Sequence, residues 1–128
     1  METALHCTTD ERADRLLKAE KFLLAAETIA TIIDDLAMGD AYVTLCVHAG
    51  VAAADVICCS KLGVCYEGLD HNGAIASLAK LDHTTALSLS TLLHIKTRSP
   101  EDALLTIKSD QQRAGRAAAF LVRAARLV

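Results

Sequence analysis

AYVTLCVHAGVAAADVICCSKL, from Ala41 to Leu62, is the stretch that decides the fold. It is apolar on nearly every side, the mark of a helix enclosed by other helices rather than lying on a surface. Three of its few polar residues, Thr44, His48 and Asp55, fall on one narrow seam. Steps of four and seven residues return to nearly the same angle at 3.6 residues per turn. A carboxylate in the middle of such a helix is costly to bury unless it is paired. Asp55 is therefore expected to meet a basic or hydroxyl partner, with His48 close by and Lys96 or Arg98 as the source of the charge.

The composition agrees with a helical core. Hydrophobic residues make up 52% of the 128, yet aromatics only 3%, so Ala, Leu, Ile and Val must fill the interior. One Pro and six Gly leave little material for the many turns of an all-β fold. The expected class is all-α, an antiparallel up-and-down bundle of about five helices forming one domain over residues 1–128. The net charge of −3 conceals an acidic start and a basic end, and the two ends can answer one another or the basic end can meet a polyanion. Asp55 interrupts the longest apolar run, and the N-terminus lacks the basic-then-apolar order of a signal peptide. The expectation is a cytoplasmic protein with no membrane partner.

Working outward, Thr8 and Glu11 fit a capping box that opens a first helix near Thr8 or Thr9, ending near Leu36. Its inward stripe is Leu16, Leu23, Ala26, Ala30 and Ile33. Met38-Gly39-Asp40 is short enough to fold the next helix back antiparallel. Gly63 is a natural stop for the Ala41–Leu62 helix. An irregular stretch precedes a third helix, Ala74–Leu81. Thr84 or Thr85 can cap a fourth, running to about Thr97. Ser99-Pro100-Glu101-Asp102 has the grammar of a helix start. Ser109 and Gln112 form a capping box for the last helix, with Ala114, Ala117, Ala118, Leu121, Ala125 and Val128 inward.

The five cysteines, Cys7, Cys46, Cys58, Cys59 and Cys65, are expected to be reduced structural thiols rather than a disulfide framework. Cys58, Cys59, Cys65 and His71 are the sharper, metal-binding alternative. The CxxC spacing of a tetrahedral half-site is absent, and no metal or other cofactor is expected.

Candidate binding residues lie in three places. His48 and Asp55 are either core groups satisfied by one partner each, or the lining of a pocket for a phosphate-bearing partner or a metal. Asp70 caps the third helix and His71 beside it is exposed, or His71 touches an anion at that helix start. Lys96, Thr97, Arg98 and Ser99 end the fourth helix with two cations and two hydroxyls. They either answer its negative end or hold an RNA or nucleotide phosphate. Arg113, Arg116, Arg123 and Arg126 are expected to form a solvated face answering the acidic first helix. No aromatics stand beside them as a single-strand stacking platform.

HAGVAAADVICCSKLG, GLDHNGAIASLAKLD and LLHIKTRS before a final amphipathic helix together resemble the HEPN superfamily, from about Lys18 to the C-terminus, and are similar to its small single-domain bacterial members. The resemblance implies a helical bundle, homodimerisation through the motif-bearing helices, and a toxin–antitoxin or defence context with an antitoxin or a nucleotidyltransferase-like partner. It also implies metal-independent ribonuclease chemistry built on an Arg, an adjacent polar residue and a His four to six residues on. Here Lys96 stands where that Arg is expected, Thr97 is the polar neighbour, Glu101 falls near the place of the His, and no His follows His94. A His is apt because imidazole trades protons near neutral pH. The favoured expectation is thus a module with a degenerate ribonuclease motif that binds RNA, nucleotide or a protein partner. The alternative is an active ribonuclease with a rearranged site, with His48 or His71 standing in.

Overall fold

The computed structural model describes residues 4–32, 39–66, 71–98 and 108–128. Among these residues five helices dominate, α1 (Thr9–Ile32), α2 (Gly39–Leu62), α3 (His71–Leu81), α4 (His83–Arg98) and α5 (Lys108–Arg126), with two short strands, β1 (Ala4–His6) and β2 (Val64–Tyr66). The all-α expectation holds. The two strands, which the sequence pattern did not announce, form one antiparallel pair with Leu5 opposite Cys65.

α2 occupies the centre and packs on each of the other four helices. Val43, Cys46, Val47, Ala49, Ala52, Ala53, Val56, Ile57 and Cys58 are all buried, and those on opposite sides of the helix face different neighbours. Leu78 of α3, Leu89 and Leu92 of α4, and Leu121 and Val122 of α5 complete the core. α2 is also the one described helix long and apolar enough to cross a membrane. Some 67% of its most apolar window is buried inside the bundle, as befits a core helix.

Directions follow from side-chain pairs. Phe22 stacks on His48, Arg15 meets Asp55 and Arg12 meets Ser60, so numbers fall along α2 as they rise along α1. α1 and α2 are antiparallel. Gly39 lies against Gln111, Gly115 against Tyr42 and Gly50 against Leu121, so α2 and α5 run parallel across the bundle. Their approach is close because both helices present small residues. At Gly50 an added Cβ would collide with Leu92 Cδ1 and crowd Leu121 Cδ1, and both leucines are fully buried.

Several boundaries are where local chemistry put them. The Thr8–Glu11 capping box forms: Thr8 N donates to Glu11 Oε1 at 3.0 Å and Glu11 N to Thr8 Oγ1 at 3.1 Å. Gly63 ends α2 with φ 72°, the left-handed conformation that suits glycine, and its N–H donates to Cys59 O at 3.1 Å. Others differ. α2 begins at Gly39 rather than Ala41, so Gly39 and Asp40 belong to the helix, with Asp40 favoured by the dipole of the first turn. α3 starts one turn early, at His71. Asp82, not Thr84 or Thr85, caps α4: Thr85 donates to Asp82 Oδ2 from its N–H at 3.2 Å and from its hydroxyl at 2.5 Å.

Of the inward residues, Leu23, Ala26, Ala114, Ala117, Ala118, Leu121 and Ala125 are buried. Ala30 is exposed, and so is Val128, which lies past the end of α5. The expected end of the first helix near Leu36, Met38, the Asp70 cap and the helix start at Ser99-Pro100-Glu101-Asp102 lie outside the described residues.

The cysteines bring the largest correction. Cys7 and Cys59 form a disulfide, with Cα atoms 5.5 Å apart and a separation of 52 positions in sequence. β1 delivers Cys7 there: its pairing with β2 and the Cys7 N–H to Gly63 O bond of 3.0 Å lay the N-terminal segment over the last turn of α2. No periodicity signals a pairing made through so short a ribbon. Cys46 and Cys58 are buried and stand outside this disulfide, as expected of small hydrophobes.

Candidate functional site

The predicted seam on α2 divides between two environments. Its C-terminal half faces α1. Asp55, with its side chain 17% exposed, meets Arg15 Nε at 3.7 Å, and Arg15 also reaches Glu11 at 3.9 Å. The partner of Asp55 is thus Arg15, with Lys18 contributing at longer range, and not Lys96 or Arg98. The antiparallel α1–α2 register dictates this. It carries the acid-first helix past α2 and leaves α4's last turn at the opposite end. Burial outweighs both cations and raises the Asp55 pKa from 3.8 to about 6. An ion pair of 3.7 Å is too long to return what desolvation removes.

The N-terminal half of the seam opens on a cleft of about 80 Å³ between the first turns of α2, the last turns of α4 and the first turn of α5. Val43, Val47 and Ile95 make its floor, and Asp40, Thr44, His48, Lys96 and Asp110 its polar lining. His48 is exposed, and its ring stacks on Phe22 with centroids 5.2 Å apart and planes 26° from parallel. The contact fixes one face of the imidazole and leaves its edge available. Thr44 donates its hydroxyl to Asp40 O at 2.9 Å, so the oxygen keeps its accepting lone pairs. Asp110 is buried and paired with Arg113 Nη1 at 3.3 Å. Lys96 is exposed at the rim.

Two sequence-predicted residues, His48 and Lys96, are therefore brought together, with Thr44 of the seam. Thr97 and Arg98 follow Lys96 in the last turn of α4, at the same end of the bundle. Ser99 lies outside the described residues. Asp55 is seven residues from His48, roughly 10 Å along the axis, and does not line the cleft. His71 is half-buried in the first turn of α3 and does not line it either.

Sequence reasoning missed the two carboxylates. Asp40 and Asp110 each sit in the first turn of a helix, where an acid is so commonplace that it signals nothing more. In three dimensions they face Lys96 across the cleft and give it mixed charge. Other polar groups nearby are chemically quiet. Tyr42 and Cys46 hydrogen-bond to each other, and burial pushes their pKa values up to about 12 and about 11, so neither offers an anionic nucleophile near neutral pH. The basic face of α5 answers α1 as expected at one point: Arg126 Nε donates to Glu20 Oε2 at 2.8 Å.

Among the described residues, no three His, Cys, Asp or Glu side chains are grouped to hold a metal ion. What the cleft offers is an exposed ammonium, a hydroxyl acceptor, an accessible imidazole and two carboxylates over an apolar floor. No family model, no curated protein and no solved structure matches the chain.

Proposed function

We propose that the cleft between α2, α4 and α5 binds a phosphate group of RNA or of a nucleotide, in a HEPN-like module whose ribonuclease motif is degenerate. The observation that carries this is the meeting of Lys96 and His48 from separate helices at one polar opening. Lys96 supplies the cation, His48 an edge that donates a hydrogen bond, and Arg98 follows two residues after Lys96 in the α4 end turn. Asp40 and Asp110 repel an anion from the floor, so phosphate sits at the Lys96 rim while the carboxylates accept from ribose or base N–H and O–H groups. The setting that fits is a cytoplasmic toxin–antitoxin or defence system.

Fluorescence titration with a short single-stranded RNA tests the proposal. Lys96→Ala with Arg98→Ala should weaken binding and lower the slope of log K against log salt by about two counterions at most. Equal binding by the variant and the parent chain, or none by either at low salt, sinks it. The second outcome leaves a protein partner, such as an antitoxin or a nucleotidyltransferase-like protein, as the occupant.

One observation favours the ribonuclease alternative. His48 lines the same cleft as Lys96, supplying an imidazole where the sequence after Lys96 has none. In that case His48 moves the proton and Lys96 steadies the charge on the phosphate. Mixed RNA incubated with the protein and a chelator separates the two: cleavage that vanishes in His48→Ala promotes the enzyme.

A further inference from the structure

We propose that the Cys7–Cys59 bridge is a reversible thiol–disulfide exchange site, a latch that a small thiol such as glutathione opens and its disulfide closes, with β1 as the part released. The site lies at the opposite end of α2 from the cleft and stands independently of what the cleft binds.

Cys7 and Cys59 make a small apolar cluster of their own, apart from the main core that holds Cys46 and Cys58. The bridge therefore sits at the edge of the fold, and the structure that covers it is slight. β1 is three residues long, and its pairing with β2 and the Cys7 N–H to Gly63 O bond lay it over α2. A two-stranded ribbon so short is marginal by itself, and it opens locally at far lower cost than the bundle. The reduced pair is provided for as well. Thr8 O lies 3.6 Å from Cys7 Sγ and 3.7 Å from Cys59 Sγ, so each thiol of a broken bridge has a carbonyl to which its S–H donates. That shared acceptor keeps the two sulfurs ready to close again. The bundle has its own supports: Thr8 and Glu11 cap α1 without the bridge, and α1 seats in the core through Ala19, Leu23 and Ala26, further along the helix.

In the opening step a glutathione thiolate attacks one bridge sulfur. The S–S bond breaks, and the other cysteine leaves as a thiolate that takes up a proton. A second glutathione thiolate attacks the mixed disulfide, releasing oxidised glutathione and the second protein thiol. Two small thiols are thereby oxidised to one disulfide, and the protein cystine gains two electrons and two protons to become two thiols. The same steps in reverse close the latch. Closed, β1 lies over the last turn of α2 and pairs with β2; open, β2 keeps an unpaired edge and α1 an untied start. Where reduced thiols abound, such a bridge is transient and reports the redox state rather than bracing the fold.

Glutathione buffers of varied reduced-to-oxidised ratio test the latch on the full chain, with acid quenching, alkylation and mass mapping of the cysteines as the readout. Cys7 and Cys59 should change state together and reach the same oxidised fraction from either direction. Below the unfolding transition, the rate of opening should be nearly flat against urea, as local release of β1 requires. A bridge reached only through global unfolding would instead open steeply faster with urea. Reduction should speed amide exchange in β1 by about 10-fold or more and leave α2 protected. In Cys7→Ser, β1 should exchange at the faster rate in both buffers. A pair that stays as thiols in oxidised glutathione overturns the proposal, and so does opening that tracks the unfolding of the bundle. So does loss of helical circular dichroism on reduction, or β1 exchange in Cys7→Ser that still follows the redox state.

Discussion

Asp55 makes this bundle more stable in acid than its other carboxylates would suggest, and Asp55→Asn exposes the effect. In the folded chain the carboxyl titrates near 6; once unfolded it returns to about 3.8. The folded state therefore binds the proton more tightly, so the contribution is fully present below about pH 4. It is lost as pH rises through 6. A shift of about two units corresponds to roughly 3 kcal/mol. The side chain is only 17% exposed, so solvent screening removes little of that. Asparagine resembles the protonated acid at every pH. The stability of Asp55→Asn minus that of the parent should therefore be small near pH 4 and grow to about 3 kcal/mol by pH 7, or roughly 10 °C in midpoint for a domain of this size. Urea titrations or thermal melts at pH 4, 5, 6 and 7 measure it, and the titration of all other groups cancels in the difference. A difference that stays flat with pH would mean that the carboxyl titrates normally. One that falls with pH would mean that the Arg15 contact outweighs burial, reversing the assignment of cause.

Three further outcomes are expected. Cys7→Ser with Cys59→Ser opens a loop of 52 residues, which costs about 4 kcal/mol by loop entropy; the parent's urea midpoint should fall likewise under a dithiol reductant, and indifference to reductant would show the bridge absent in solution. Gly50→Ala should destabilise by about 1–3 kcal/mol in spite of alanine's better helix propensity, because Leu92 and Leu121 have no room to yield; a neutral or stabilised variant by thermal melt would show that the α2–α4–α5 junction is looser than drawn. Asp82→Ala should lower stability at neutral pH and lose this penalty in strong acid, since the hydrogen bonds from Thr85 hold the Asp82 carboxyl below its usual range and that contribution disappears as pH falls through it; a penalty independent of pH would refute the cap.

The local alphabet of helix ends was legible because each signal needs only a few neighbouring residues. Thr8 and Glu11 close on each other three positions apart, and Gly63 takes the one conformation that ends α2 there. The all-round apolar character of α2 likewise required a surrounding bundle, since no single face could bury it. The angle that joins Thr44, His48 and Asp55 was fixed by helical geometry. What that seam would meet was not, because periodicity says which residues share a face and nothing about the helix opposite. The antiparallel register of α1 and α2 alone gave Asp55 to Arg15 and His48 to Phe22. The parallel approach of α2 and α5, set by side chains as small as Gly50, brought Asp40 and Asp110 to the cleft that His48 and Lys96 share. The Cys7–Cys59 bridge depends on a three-residue strand finding its partner 60 residues away. Such long-range pairings are decided by how helices of given length and surface stack, and only the tertiary structure holds that information.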